Sequence, residues 1–441
     1  MHKLVIEGGR PLRGTVPVSG AKNAALPILI ATLLAPGEHV IENVPDLVDV
    51  SSTLSLLGRM GCPSLLSEGG PANLRVRLDT SRIAFSEAPY DVVRKMRASV
   101  LVLGPLLARC GKARVSLPGG CAIGVRPIDQ HLRGLEALGC SFELAGGYVN
   151  ASVDRLVGAD FTFDVPTVTG TENVLSAAVL AEGVSVLRNV AREPEIVDLV
   201  RFLRSMGARI EGEGSDTLRV DGVPALRPAR QPHAILPDRI EAGTYLIAGA
   251  ITGGDVRAQG ARAEDLHPLI QKLQEAGCTV EADETGVRVV RDGPLLATDI
   301  VTKPHPGFPT DMQAQWMALM ALAEGQCTVH ETIFENRFMH VPELARLGAD
   351  IQVVGNLATV KGAASLRGAS VMATDLRASA SLVLAGLAAG GQTEVLRIYH
   401  LDRGYGALVE KLRGLGAAIV RVESDVAVPP GSLRGEAEAA V

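Results

Sequence analysis

Aromatic residues are scarce, making up 3% of 441 positions as one Trp, five Tyr and eight Phe. The interior must therefore pack small aliphatic side chains, and 48 glycines supply many short turns. An excess of positive charge is also missing. A net charge of −6 excludes a general nucleic-acid binder, so an anionic ligand has to be met by locally clustered Arg and Lys. The six cysteines (62, 110, 121, 140, 278 and 327) show no Cys-x-x-Cys spacing and read as reduced thiols of a cytoplasmic protein. The nine histidines form no ligand cluster, and Phe334 stands where a zinc helix begun by His330-Glu331 would place its second histidine. No structural metal is expected. No apolar run is long enough to span a bilayer. The best, Pro27 to Ala35, is short and follows charged Glu7, Arg10, Arg13 and Lys22, unlike a signal peptide. These absences predict a soluble cytoplasmic chain of two or three domains with no membrane partner.

What is present begins with Pro118-Gly119-Gly120-Cys121-Ala122-Ile123-Gly124-Val125-Arg126-Pro127-Ile128-Asp129. Three glycines and two prolines make this a loop rather than a helix or central strand. It holds one thiol, exposed by its small neighbours and five residues from a guanidinium, an arrangement that favours a reactive thiolate. The loop lacks the Lys-Ser/Thr that would complete a phosphate-binding P-loop.

An amphipathic segment ending in a small-residue break recurs six times, marked by Gly61, Gly139, Gly207, Gly277, Gly348 and Gly416 at intervals of about 70 residues. A strand-like alternation follows each break, as in Ala208-Arg209-Ile210-Glu211. Upstream of each marker lies a second helix, apolar nearly all round and hence buried; Ala24 to Ala35, Ala242 to Thr252 and Ala378 to Ala389 are examples. Each unit reads helix, strand, loop, helix, strand. Taken three and three, the units predict an α/β protein of two domains with helices inside and sheet outside. The proline-rich stretch Pro224 to Pro237 reads as the connector rather than as a strand.

Polar residues that a core would reject gather at two places in the unit. The starts of the buried helices carry Lys22-Asn23, Arg97, Thr171-Glu172-Asn173, Arg239-Glu241, Asp311 and Arg377. The loops before the outer helices carry Cys121 with Arg126, Arg192-Glu193, Arg337 and Arg403. Helix N-termini present unpaired N–H groups, so cations placed there suit an anionic ligand.

Several strings resemble, in order and nearly end to end, the UDP-N-acetylglucosamine branch of the enolpyruvyl transferase family. They are residues 19–24, 96–99, 118–129, 192–198, 236–241, 308–315, 334–343, 373–379 and 400–405. The resemblance implies two inside-out α/β domains of three repeats each, residues 22–235 forming one, and 1–21 with 236–441 the other. It implies transfer of the enolpyruvyl group of phosphoenolpyruvate to the sugar 3′-hydroxyl with release of phosphate. Lys22, Arg126 and Arg403 suit the compact donor anion as charge-assisted donors, and the resemblance extends that role to Arg337 and Arg377. It assigns Cys121 as the proton donor to the methylene carbon and Asp311 as the base for the sugar hydroxyl. Asn23 resembles a substrate-contacting amide, and Arg97, Arg126, Pro127, Ile128, Asp129 and Gln130 resemble the nucleotide-sugar contacts, with Ile333 nearby among the substrate-binding residues. No metal or organic cofactor is implied. Two positions depart from some relatives: Leu101 replaces a Trp, and Val165 to Gly170 lacks a Lys.

Three other readings compete. They are the sister transferase acting on shikimate 3-phosphate, a non-catalytic repeat scaffold, and a Cys hydrolase using His131. The Cys121 loop and Met339-His340-Val341-Pro342 favour the UDP-sugar enzyme.

Overall fold

A computed structural model describes residues 2–70, 73–93, 96–117 and 128–433. The chain divides into two compact units, one taking residues 2–19 and 237–433, the other taking 20–117 and 128–236. The calls on Cys121, Arg126 and Pro127 fall outside the described residues.

The repeat is clearest at Asp160–Asp221. A strand (Asp160–Thr162) leads into a buried helix (Val168–Ala178), a second strand (Val184–Arg188), an outer helix (Pro194–Ser205) and a hairpin (Arg209–Glu211 with Thr217–Asp221). Thr167 caps the buried helix by accepting from Gly170 N at 3.3 Å. Nine of the helix's eleven residues are buried, so it has no polar face to turn outward. The outer helix starts on Pro194, carries Glu195 in its first turn and Arg204 in its last, and buries Ile196, Leu199, Val200, Phe202 and Leu203 along one stripe. Gly207 follows it at φ +108°, a conformation that side chains with a Cβ resist. The first two strands pair in parallel and the hairpin adds antiparallel partners.

Six four-stranded sheets of this kind occur. The expectation of two strands per unit was therefore too few. The lead strands are too short, as at Asp160–Thr162, to show an apolar alternation, and the strand after each glycine break was read without its hairpin partner, such as Thr217–Asp221. Helices fill the inside of each unit, and its sheets lie outside them, an inside-out α/β architecture. The two cores contain almost solely aliphatic side chains, with Trp316 sealed in one of them.

Chain order is broken at three strands. Arg13–Pro17 pairs in parallel with Asp255–Gln259, opening the fourth sheet. His233–Ala234 pairs in parallel with Ile41–Glu42, opening the first. His2–Glu7 lies antiparallel between Gln392–Leu396 and Ala418–Glu423 and completes the last sheet. The segment read as a pure connector thus contains a two-residue strand, because a short edge pairing tolerates flanking prolines. Among the described residues no helix is long and apolar enough to cross a membrane.

Candidate active site

In the unit of residues 237–433, three predicted site residues meet. Asp311 sits in a single 3₁₀ turn, Thr310–Met312, just ahead of the buried helix Gln313–Met320. Arg377 is the second residue of the buried helix Leu376–Ala388, whose Asp375 cap accepts from Arg377 N at 2.9 Å and Ala378 N at 3.0 Å. Arg337 lies on the segment before the outer helix Val341–Arg346. Its Nη2 donates to Asp311 Oδ1 at 2.7 Å, while Arg377 donates to Oδ2 from Nε at 3.3 Å and Nη2 at 3.2 Å.

Arg337 and Arg377 are 5% and 3% exposed, so their charges need this carboxylate. Arg377 also lies over the Tyr405 ring at 5.3 Å, and Arg337 over Phe334 at 5.3 Å. Burial works against the Arg377 charge, but Tyr405 and Asp311 outweigh it and raise its pKa. Its Nη1 finds no hydrogen-bond partner among the described residues. A buried donor left open in this way suits an oxygen of an anionic ligand. Gln315 braces the site by donating to Asp311 O at 3.0 Å and Tyr405 Oη at 3.2 Å, and Thr244 Oγ1 lies 3.0 Å from the same phenol.

Ile333 lies in the same loop as Arg337, with its N–H held by Glu331 Oε1 at 2.8 Å. Arg403 ends the 3₁₀ helix Ile398–Arg403. Nearby His400 has its pKa lowered, chiefly by burial, with Arg403 and Arg397 adding to the effect and Asp375 opposing it.

In the unit of residues 20–236, Lys22 opens the buried helix Lys22–Ala31, with Asn23 beside it, and Lys22 Nζ lies 3.5 Å from Asp49. Arg97 opens the 3₁₀ turn Arg97–Val102. Ile128 precedes the helix Asp129–Ala137, whose first two residues are Asp129 and Gln130. Gln130 is fixed by Asp164, donating to Oδ2 at 3.0 Å and accepting from N at 3.0 Å. His131 is sealed in the core. Its Nδ1 accepts from Asn173 Nδ2 at 3.0 Å and its Nε2 donates to Thr169 Oγ1 at 3.2 Å. Burial first, then the Arg97 charge, push its pKa down to about 4. An imidazole with both nitrogens engaged is a poor base for a thiol, which removes the main support for a Cys hydrolase.

Sequence reasoning missed Glu331, Thr310 and Gln315 as parts of the site, as well as Asp49. Thr310 and Gln315 lie in the family-like string 308–315 without a role assigned there, and Glu331 and Asp49 belong to no recognisable pattern. His330-Glu331 was weighed only as a zinc helix, whereas His330 ends the strand Gln326–His330 and Glu331 lies in the irregular segment after it.

The fold is that of an inside-out α/β protein whose buried helices start on or beside charged residues. The sequence profile of the EPSP synthase (3-phosphoshikimate 1-carboxyvinyltransferase) family matches residues 6–412. A UDP-N-acetylglucosamine 1-carboxyvinyltransferase of Anaeromyxobacter dehalogenans (strain 2CP-C) is 60% identical, the match covering 96% of this chain and 100% of that protein. A protein of the same name from Geotalea uraniireducens is 56% identical with the same coverage. Among solved structures, the enolpyruvyl transferase NikO from Streptomyces tendae superposes with a TM-score of 0.86 at 29% identity, covering 96% of this chain and 99% of that one. An EPSP synthase from Acinetobacter baumannii shares the fold, with a TM-score of 0.74 at 18% identity and coverage of 96% and 100%. The chain belongs to the EPSP synthase family of enolpyruvyl transferases.

Proposed function

We propose that this protein transfers the enolpyruvyl group of phosphoenolpyruvate to the 3′-hydroxyl of UDP-N-acetylglucosamine and releases phosphate, the first committed step of peptidoglycan synthesis, in the cytoplasm. The observation that carries the reading is the 60% identity, over 96% of the chain, to relatives bearing that activity as their name. The EPSP synthase of Acinetobacter baumannii shares the fold at only 18% identity.

The residues supply the chemistry as follows. Asp311 accepts the proton of the sugar hydroxyl, whose oxygen then bonds to C2 of the donor. Cys121 gives a proton to the methylene carbon, turning it into a methyl group, so a tetrahedral adduct forms without free charge at carbon. Elimination follows. The C2–O bond to phosphate breaks, phosphate leaves with that electron pair, and the methyl group returns a proton as the double bond re-forms.

Lys22, Arg126, Arg337, Arg377 and Arg403 bind the donor's phosphate and carboxylate. Without ligand, Asp311 balances two of these cations. The donor's own charges take over that task, which leaves the carboxylate to accept a proton. Asn23, Arg97, Pro127, Ile128, Asp129, Gln130 and Ile333 contact the nucleotide sugar. The test is phosphate release from phosphoenolpyruvate with UDP-N-acetylglucosamine, with shikimate 3-phosphate, and with neither. Release only with the UDP-sugar is expected, and release only with shikimate 3-phosphate would transfer the assignment to the sister enzyme.

A further inference from the structure

Glu331 is 1% exposed, and no step above uses it. Burying a carboxylate costs more than burying an apolar side chain unless its hydrogen-bonding sites are filled, and here they are. Oε1 accepts from Thr302 Oγ1 at 2.9 Å, Ile333 N at 2.8 Å and Phe334 N at 3.1 Å. Oε2 accepts from Thr310 Oγ1 at 2.8 Å, and Thr310 Oγ1 accepts from Arg337 Nη1 at 2.9 Å. The single hydroxyl proton of Thr310 must point to Glu331, because a guanidinium can only donate. That orientation turns a lone pair of the hydroxyl toward Arg337. The other amino group of the same guanidinium lies on Asp311 at 2.7 Å.

We propose that Glu331 is a positioning residue with two separate arms, an inference that rests on the function proposed above. Through Thr310 it orients Arg337, the donor-binding cation, against Asp311. Through the amides of Ile333 and Phe334 it shapes the loop that contacts the nucleotide sugar. One buried carboxylate thus aligns a residue for each substrate.

The two arms can be cut separately. Thr310→Val removes the hydroxyl between Glu331 and Arg337 and leaves the three bonds to Oε1. It is expected to raise KM for phosphoenolpyruvate about tenfold while KM for UDP-N-acetylglucosamine stays within about twofold. Glu331→Ala should raise both by about tenfold. The double variant should be no worse toward phosphoenolpyruvate than Glu331→Ala alone, since both changes cut one arm. Thr310→Ser, which restores the hydroxyl, should restore donor saturation. If Glu331→Ala does not fold, Glu331→Gln serves instead. Its amide group facing Thr310 cannot accept the hydroxyl proton, so the orientation of Thr310 toward Arg337 is no longer fixed, which should raise KM for the donor in the same direction.

Normal KM values in folded Glu331 variants, with only the yield of folded protein reduced, would overturn the proposal. Hydrogen exchange gives a readout that does not depend on turnover. The Ile333 and Phe334 amides should exchange faster in Glu331→Ala, and not in Thr310→Val or in Glu331→Gln, whose carbonyl still accepts from them; unchanged exchange in Glu331→Ala would equally overturn the two-armed role. A wild-type enzyme that releases no phosphate would overturn the proposed function instead, and exchange would still decide the role of Glu331.

Discussion

Arg337 Nη2 stands 2.7 Å from Asp311 Oδ1, and Arg377 takes the other oxygen of the same carboxylate. One acid thus holds two almost fully buried guanidiniums. Without a bound anion the arrangement is stable only while that negative charge remains, because a buried cation without a partner is costly.

Asp311→Asn keeps the size of the side chain and removes that charge. It should cost about 3 kcal/mol of stability, as for breaking a buried ion pair. It should also slow turnover by roughly 100-fold or more, as for loss of a general base. Urea unfolding and single-turnover kinetics measure the two effects, and normal turnover in the variant would remove Asp311 from the mechanism.

Lys22 and Arg403 open and close helical turns in different units, and both are assigned to the donor anion. Lys22→Ala and Arg403→Ala should each weaken phosphoenolpyruvate saturation or turnover about tenfold or more, as for loss of a charged hydrogen bond. Initial-rate kinetics with varied donor provide the check, and wild-type constants in both variants would sink the assignment.

Two buried histidines set an acid limit on stability. Burial, then Arg97, push His131 to about 4, with Asp129 opposing. Burial lowers His340 to about 4 as well, with Asp375 opposing and Arg337 adding to the shift. Each imidazole titrates near pH 6.5 once unfolded, so between pH 6.5 and 4 the unfolded chain binds the extra proton. The stability they confer is complete above pH 6.5 and declines as pH falls toward 4. The slope should be on the order of 1 kcal/mol per pH unit per histidine. Urea unfolding at several pH values should show that decline, and His131→Gln should flatten it. An equal slope in the variant would mean that His131 is not the titrating group.

The features legible in the sequence were the local ones. Gly61, Gly139, Gly207, Gly277, Gly348 and Gly416 all take positive φ, and such helix ends show in the sequence as glycine after an amphipathic run. The buried helices were legible because they lack a polar face, and Lys22, Arg97, Asp311 and Arg377 because they interrupt apolar stretches. Long-range pairing was hidden. No local pattern ties Arg13–Pro17 to Asp255–Gln259, some 240 residues away. The same holds for Gly222 and Gly362, where a Cβ would fall 1.6 Å from the carbonyl oxygens of Ala181 and Ala323; those two contacts recur in separate repeats, yet the sequence shows only two unremarked glycines. Glu331 was illegible because a single glutamate has no periodicity, and its importance lies in four hydrogen bonds from separate segments.

The five described cysteines bear on the sixth. Burial raises every one of their thiol pKa values, to about 11 for Cys62, Cys278 and Cys327, to about 12 for Cys140, and upward for Cys110. At neutral pH almost none of these sulfurs is a thiolate, the form that alkylators attack. Cys121 stands among glycines with Arg126 close in sequence, so an alkylating agent should label it first. An epoxide phosphonate of the fosfomycin type carries the donor's charge and should be drawn there by the same cations, faster once UDP-N-acetylglucosamine is bound. Cys121→Ser should block the modification and slow transfer greatly. Cys121→Asp should resist the reagent and keep activity, because a carboxylic acid also delivers a proton. Peptide mapping after brief alkylation at neutral pH decides the matter. Label on Cys110 or Cys327, with Cys121 untouched, would show that the loop thiol is not the reactive one.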